Sequence, residues 1–339
     1  MLKNPFREIE HVLLLFYMSG KKTSLAILTG GPSAERGIAI ASAAFVASHL
    51  DPARYASRTI VLEPHGWIDQ ASELAVDLND FTLTVKGERI QFDFVFLIIH
   101  GTPAEDGRLQ GYFEMRGIPY STCDTLTSSL TFSKQWCKQF LRAYDVPMAW
   151  STLIRSSDIH AINPSDFRYP LFVKPNNNGS SYGVSKVSQP DALIAALEKS
   201  AAFDHEIIVE TFLAGREFSC GAVRDGDTIH VFPVTEIIPK NEFFDYQAKY
   251  EGASQEVTPA DLSEALSMEC RQQSRRLYEI LNCKGLVRFD YILKEDVFHL
   301  LEVNTIPGLS PASIVPQQAR AYGWTMAEML EVVIRDCGR

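Results

Sequence analysis

Arg288, Asp290, Glu302 and Asn304 stand among apolar residues in the stretch Leu286–Pro311, LVRFDYILKEDVFHLLEVNTIPGLSP. This stretch reads as two strands joined by a polar turn, Lys294-Glu295-Asp296, with a Pro/Gly loop after them. Side chains alternate faces along a strand, so Arg288 shares a face with Asp290, and Glu302 shares one with Asn304. Burying such groups unpaired costs roughly 2–7 kcal/mol for each neutral polar group and more for a charge. A divalent cation offsets the cost. Two carboxylates and an amide oxygen are hard ligands, suited to Mg2+ held against phosphate groups, and Arg288 would face the same phosphates.

The reading sets a parity condition. Asp290 and Glu302 face each other only if opposed residue numbers sum to an even number. A three-residue turn at 294–296 meets the condition; a two-residue turn at Glu295-Asp296 would turn Glu302 away unless a bulge restored it. Leu286, Ile292, Phe298 and Leu300 are then expected on the same face as the charges, which disfavours the competing reading, a surface hairpin with an internal salt bridge.

Lys174 lies in an otherwise apolar strand, YPLFVKP, and the loop NNNGSSYG follows at once. Gly and Ser let backbone N–H groups wrap an anion closely, and an unpaired strand lysine wants one. A bare hairpin turn is the competing reading for the loop. No Walker pattern GxxxxGK[ST] occurs in the chain. Lys134 and Lys138 stand on the expected helix Asp124–Asp145. Glu210 closes the expected strand His205–Leu213 and is followed by Gly215-Arg216-Glu217. Two loops complete the set: Gly30-Gly31-Pro32-Ser33 with Glu35 just beyond, and HGTPAEDG from His100 to Gly107, which carries a His and two acids.

The elements that must position these groups follow from pattern. Strands are expected at Thr23–Thr29, Ser57–Leu62, Phe92–Ile99 and Ile118–Ser121, with a helix Ala34–Leu50 capped by Ser33 after the first. Strand–helix–strand alternation indicates a parallel α/β unit, whose function collects at the carboxyl ends of strands. Gly30-Gly31 and His100-Gly101 occupy such ends, while the absence of GxGxxG counts against a dinucleotide site. Later come a strand Ala149–Ile154, an amphipathic helix Gln189–Phe203, a hairpin turned at Arg224–Asp227, and a polar stretch without period from about Pro239 to Val257, which reads as a lid. Thr258-Pro259-Ala260-Asp261 opens a helix running to Asn282 and ended by Gly285. Thr325-Met326-Ala327-Glu328 caps the last helix.

The 339 residues suffice for two or three packed units, and 46% hydrophobic with 22% charged residues is ordinary for a globular enzyme. A net charge of −10 argues against general binding to nucleic acid or anionic membranes. The apolar run Val12–Met18 is too short to span a bilayer, and residues 1–20 read as a dispensable extension. Six cysteines without CxxC or metal spacing read as reduced thiols of a cytoplasmic protein.

Taken together, GGPSAERG, HGTPAEDG, FVKPNNNGSSYG, VETFLAGREFSC, FFDYQAKY, VRFDYILKEDVFHLLEVNTIPG and PASIVP resemble, in order and spacing, the D-alanine–D-alanine ligases of the ATP-grasp superfamily, from about residue 22 to 335. The resemblance implies an α/β chain with a Rossmann-like N-terminal substrate domain at 21–122 followed by a two-part ATP-grasp fold. Its central subdomain would span 123–213 and its C-terminal subdomain 214–339, with a lid loop at 239–257. It implies ATP-dependent joining of two D-alanines for peptidoglycan synthesis, through an acyl phosphate and a tetrahedral intermediate.

The resemblance also implies residue roles. Lys134, Lys174 and Lys249 would hold the ATP phosphates, with the Ser180-Ser181 flap above them. Glu210 and the backbone of Phe212 and Leu213 would read adenine, and Glu217 the ribose. Asp290, Glu302 and Asn304 would hold two Mg2+ ions, Mn2+ being an alternative. Arg288 and the Gly308 N–H would stabilise the oxyanion. Glu35, near His100, would pair with the first ammonium, and Ser313 with the Ile314 N–H would take the second carboxylate. Glu35, Ser180 and Tyr250 would form one hydrogen-bonded set, and Tyr250 goes with D-alanine rather than D-lactate as second substrate. A cytoplasmic homodimer without nucleic-acid or membrane partners is implied.

Gly37, Ile38, Ala104, Asn178, Ile306 and Pro311 depart from the usual pattern, and none of these removes a proposed catalytic group. Two other functions compete: an ATP-grasp carboxylate–amine ligase for a different amino acid pair, and a non-catalytic ATP-binding regulator. Glu35 with Ser313-Ile314 counts against the first, and the intact Arg288, Asp290, Glu302 and Asn304 set against the second.

Overall fold

From Leu25 to Leu28 every side chain is apolar and fully buried, as a strand covered on both faces requires. The computed structural model describes residues 22–179, 182–239 and 254–338. The expectations for residues 1–20, Ser180, Ser181, Lys249 and Tyr250 therefore lie outside the described residues.

In the first sheet, β1 (Thr23–Gly30) leads through α1 (Arg36–His49) to β2 (Tyr55–Glu63), which is parallel to it. β3 (Gly66–Asp69) adds an antiparallel edge. β4 (Thr82–Val85) and β5 (Glu88–Gln91) form a separate hairpin, and β6 (Phe94–Leu97) returns parallel to β1, giving the order β3-β2-β1-β6. Two expectations are corrected here. Ile118–Ser121 is not a strand but a single bridge, Val95 to Tyr120, after α2 (Arg108–Arg116). Ser33 is not the cap of α1. Glu35 occupies that position, and the Ser33 hydroxyl accepts from the Glu35 N–H at 3.2 Å. Gly30 and Gly31 have φ of +90° and +89°, and a Cβ on Gly31 would stand 2.8 Å from Ile99, so this strand-end turn needs glycine.

The expected helix 124–145 is two helices, α3 (Thr125–Phe132) and α4 (Lys134–Arg142). The cause is Asn176. Its carbonyl accepts from the Lys134 N–H at 3.2 Å and its Oδ1 from the Gln135 N–H at 2.9 Å, while its Nδ2 donates to the Ser133 hydroxyl at 2.9 Å. A distant side chain thus satisfies the donors that a fresh helix start exposes. The second sheet is antiparallel: β7 (Ser151–Arg155), β8 (Leu171–Pro175), β9 (Ser185–Val187) and β10 (Glu206–Thr211), in the order β7-β10-β8-β9 with α5 (Leu193–Ala201) packed on it.

The third sheet is also antiparallel. It comprises β11 (Arg216–Asp225), β12 (Thr228–Val231), β13 (Thr235–Pro239), β14 (Ser254–Val257), β15 (Leu286–Lys294) and β16 (Val297–Asn304). The end of the expected lid stretch is therefore a strand, β14, paired with β13. The helix expected from Thr258 begins later, as α6 (Glu264–Ile280), capped by Ser263, whose hydroxyl accepts from the Leu266 N–H. α7 (Ile314–Tyr322) and α8 (Met326–Cys337) end the chain, and α8 opens with the expected Thr325/Glu328 capping box. α8 packs on α1, and the Leu309 N–H donates to Ser42 of α1 at 3.2 Å. The loop after β16 is thereby fastened to the first sheet's helix.

Candidate active site

Lys134 and Lys138 are one helical turn apart on α4, so both point the same way. Across from them, Lys174 on β8 and Glu210 on β10 share a face, Lys174 standing opposite Ile208 in the register. Glu210 Oε2 lies 2.5 Å from Lys174 Nζ, and its other oxygen accepts from Lys138 Nζ. Burial alone would raise the Glu210 carboxyl, but Lys174 and Lys138 together outweigh it and hold it at about 2. Lys134 Nζ donates to the Asn178 carbonyl at 2.6 Å and stands 4.0 Å from Glu302 Oε2. Burial pushes both the Lys134 and Lys138 ammonium groups down, with Glu302 and Glu210 opposing the shift. Lys138 and Lys174 thus share a single carboxylate, a local excess of positive charge that favours an anion.

Glu302 belongs to the facing wall. Asp290 is opposite Glu302 and Arg288 opposite Asn304. The strands meet through a two-residue turn, since Lys294 pairs with Val297, with φ of 51° and 58° at Glu295 and Asp296. Positive φ at both positions is the geometry whose twist suits a hairpin. The expected three-residue turn is thus corrected. Leu301 is the extra residue: Tyr291 pairs with Leu300, and Asp290 with Glu302. This bulge restores the parity that the short turn breaks. A second correction follows, because Phe298 and Leu300 pair with Leu293 and Tyr291 and join the buried apolar cluster on the other face, away from the charges. Arg288 Nη2 donates to Asp290 Oδ2 at 2.7 Å, the Ser219 hydroxyl to Asp290 Oδ1 at 2.7 Å, and the Ile306 N–H to Asn304 Oδ1 at 3.0 Å.

The loops at the carboxyl ends of the first sheet close one end. His100 is buried, and its Nε2 has no hydrogen-bond partner among the described residues. Burial lowers its pKa, with Glu35 opposing the shift and Arg288 adding to it. A Cβ on Gly179 would stand 3.2 Å from Glu35 Oε2, which puts the Glu35 carboxylate against the Gly/Ser loop. Glu105 accepts from the Gly101 N–H at 2.8 Å, and burial, then Glu35, push its carboxyl up to about 8. Gly308 approaches Ser313 so closely that a Cβ would meet its hydroxyl at 2.9 Å. Ser313 caps α7, accepting from the Ser310 N–H at 3.1 Å, and Ile314 begins the helix, so its N–H is among the donors that a helix start leaves unsatisfied.

Phe172 and Phe212, which also line the cavity, meet edge to face at 5.5 Å, and Lys186 Nζ lies 4.5 Å from the Phe212 ring. The Phe212 N–H donates to the Pro170 carbonyl at 3.1 Å, so its backbone has the carbonyl to offer a ligand. Glu217 on β11 is opposite both Ile237 and Ile292.

One cavity of about 660 Å3 is lined by Glu35, His100, Lys134, Lys174, Glu210, Phe212, Leu213, Glu217, Arg288, Asp290, Glu302, Asn304, Gly308, Ser313 and Ile314. The cavity thus brings together every described residue to which the resemblance gave a role. Lys138, Glu105 and Glu256 received no role from the sequence. The four-residue spacing from Lys134 was a signal for Lys138, and a strand-end loop shared with His100 was one for Glu105. Nothing local marked Glu256. Among the described residues no trio of His, Cys, Asp or Glu side chains forms a metal cluster, and the hard-oxygen face is two carboxylates and an amide. No helix among them is long and apolar enough to cross a membrane.

Comparisons with known proteins agree with this geometry. Family models described as D-ala D-ala ligase N-terminus and D-ala D-ala ligase C-terminus match residues 24–123 and 141–335. The chain is 41% identical over 323 residues to the D-alanine–D-alanine ligase of Phocaeicola vulgatus, covering 93% of this chain and 99% of that one. It is 42% identical over 313 residues to that of Flavobacterium johnsoniae, covering 90% and 96%. Among solved structures, D-alanyl-alanine synthetase A from Vibrio cholerae superposes with a TM-score of 0.84 at 27% identity, covering 94% of this chain and 99% of that one. The VanG D-Ala:D-Ser ligase from Enterococcus faecalis gives 0.83 at 28% identity, covering 93% and 99%.

Proposed function

The chain belongs to the D-alanine–D-alanine ligase family, with its ATP-grasp fold and ADP-forming chemistry, and we propose how this cavity performs the joining of two D-alanines. The observation that carries the reading is the position of Lys134. Its ammonium lies 4.0 Å from Glu302 Oε2, and one turn away Lys138 contacts Glu210. The lysine cluster and the hard-oxygen face are thus two walls of one site, as phosphoryl transfer requires.

ATP lies with its base against Phe172 and Phe212, its adenine read by Glu210 with the backbone of Phe212 and Leu213, and its ribose held by Glu217. Lys134 and Lys174 hold its phosphates, joined by Ser181 and Lys249 from outside the described residues. Asp290, Glu302 and Asn304 fit Mg2+ or Mn2+ by donor type, and a bound metal would offset phosphate charge. Glu35, beside His100, holds the ammonium of the first D-alanine. That substrate's carboxylate oxygen attacks the γ-phosphorus, the bond to ADP breaks, and D-alanyl phosphate forms. The second D-alanine is held by its carboxylate at Ser313 and the Ile314 N–H. Its uncharged amine attacks the acyl carbon, and Arg288 with the Gly308 N–H stabilises the oxyanion that develops. The amine gives up a proton to the departing phosphate, which leaves carrying one oxygen of the first carboxylate, and the dipeptide remains. Ser180 and Tyr250 complete the set with Glu35, and Tyr250 favours D-alanine over D-lactate as second substrate.

D-Alanyl-D-alanine made this way serves peptidoglycan synthesis. Six unpaired cysteines, five of them buried, support a cytoplasmic location, and the family resemblance supports a homodimer. The test uses D-alanine labelled with oxygen-18 in its carboxylate. Each turnover should pass one labelled oxygen to phosphate, and unlabelled phosphate would contradict the acyl phosphate route.

A further inference from the structure

Glu256, on β14, and Gln317, on α7, are linked across the edge of the cavity: Gln317 Nε2 donates to Glu256 Oε2 at 2.6 Å. The same amide nitrogen donates to the Ala312 carbonyl at 3.0 Å. Ala312 immediately precedes Ser313, the cap of α7, and Glu256, Ala312, Ser313, Ile314 and Arg288 all line the cavity. The next residue, Gln318, fastens the body of the same helix: it accepts from the Gly221 N–H at 3.0 Å and donates to the Ser219 carbonyl at 2.8 Å. Gln318 therefore fixes where α7 lies. The turn entering the helix is exposed at Ala312 and has its own tie through Gln317.

We infer that Glu256 is a positioning residue for the second substrate, acting through Gln317 to hold the Ala312–Ser313 turn where the Ser313 hydroxyl and the Ile314 N–H receive that substrate's carboxylate. The inference rests on the assignment of Ser313 and Ile314 proposed above and adds the device that aims them. A carboxylate is the stronger acceptor for an amide N–H, and an amide nitrogen bonded on both its hydrogens keeps one orientation. Without Glu256, Gln317 keeps one bond and the turn gains freedom. Burial raises the Glu256 carboxyl, with the Gln317 bond and Arg288 opposing. The part Glu256 plays here is to accept from Gln317, and a glutamine, which presents an acceptor oxygen in the same place, is its conservative replacement.

The test measures phosphate release by the full chain, against D-alanine at saturating ATP and against ATP at saturating D-alanine, with a thermal melt of each protein. Glu256→Ala and Gln317→Ala should each raise the KM of the second D-alanine about tenfold, as a small misplacement of a binding group does, leaving the KM for ATP within about twofold. The double variant should be no worse than either single one, because both remove the same link. Glu256→Gln should recover most of the loss. An unchanged D-alanine dependence in both alanine variants overturns the inference, as does a rise in every KM together with a lower melting temperature. A wild-type chain that does not respond to D-alanine overturns the parent assignment, an outcome distinct from either.

Discussion

Asp290 and Glu302 stand directly opposite one another because Leu301 is left unpaired between Leu300 and Glu302. The two-residue turn alone would pair odd-numbered with even-numbered positions and send Glu302 to the apolar face. The bulge corrects the register where the chemistry needs it and leaves Phe298 and Leu300 in the core. Bulges recur beside active sites, where they re-aim a side chain.

Glu302→Gln tests that face. The variant keeps an oxygen in place and removes the charge beside Lys134 and opposite Asp290. Turnover should fall by roughly 10²–10³-fold, the usual loss when one preorganised electrostatic group is removed. Steady-state phosphate release at saturating Mg2+ would show it, and turnover within twofold of the wild type would contradict it.

Glu210→Gln leaves Lys138 and Lys174 buried without their shared counter-charge. Removing one partner of a buried ion pair costs about 3–5 kcal/mol. The native carboxyl titrates at about 2 against an ordinary 4.5. It therefore contributes stability that is present above about 4.5 and lost as pH falls towards 2, on the order of 3 kcal/mol. Denaturant melts across that range should show this acid limb in the wild type and not in the variant. Equal limbs would refute the assignment.

Glu105 predicts the opposite sign. Its native carboxyl is raised to about 8 from an ordinary 4.5, so the folded chain holds a proton that the unfolded chain releases. That contribution is full below about 4.5 and is lost as pH rises to about 8. Glu105→Gln should flatten the slope of stability against pH across this window, measured by chemical denaturation. A parallel slope in the variant would place the effect elsewhere.

Gly308→Ala puts a methyl group 2.9 Å from the Ser313 hydroxyl, which is held by Ser310 through both its N–H and its hydroxyl. The hydroxyl cannot swing aside and keep both bonds. A loss in kcat/KM for D-alanine of about tenfold is expected, with a circular dichroism spectrum like that of the wild type. Wild-type kinetics would show that the close approach is unimportant.

Much of this site was legible because its chemistry demands residue types that a core does not. Lys174 in an apolar strand, Asp290 and Glu302 in a hairpin, and His100 at a strand end each contradict their surroundings. What was not legible depends on partners far along the chain. The break at Ser133 is caused by Asn176, and no local pattern in 124–145 announces it. The two-residue turn and its bulge cancel, so parity predicts the facing of Asp290 and Glu302 by either route, while the face taken by Phe298 and Leu300 depends on which turn forms. Lys138 was visible as a helix residue, but its contact with Glu210 needs the second sheet in place. Glu256 sits on a strand at the end of a polar stretch without period, where its pairing with β13 overrides the sequence signal.

The most direct measurement is the product formed from ATP, Mg2+ and D-alanine, identified by mass beside reactions with L-alanine and with no amino acid. D-Alanyl-D-alanine, ADP and phosphate are expected with D-alanine and with neither control. ATP binding without D-alanine-dependent turnover would contradict this, leaving the fold intact and moving the search for the true amino acid to Gly37, Ile38 and Ala104.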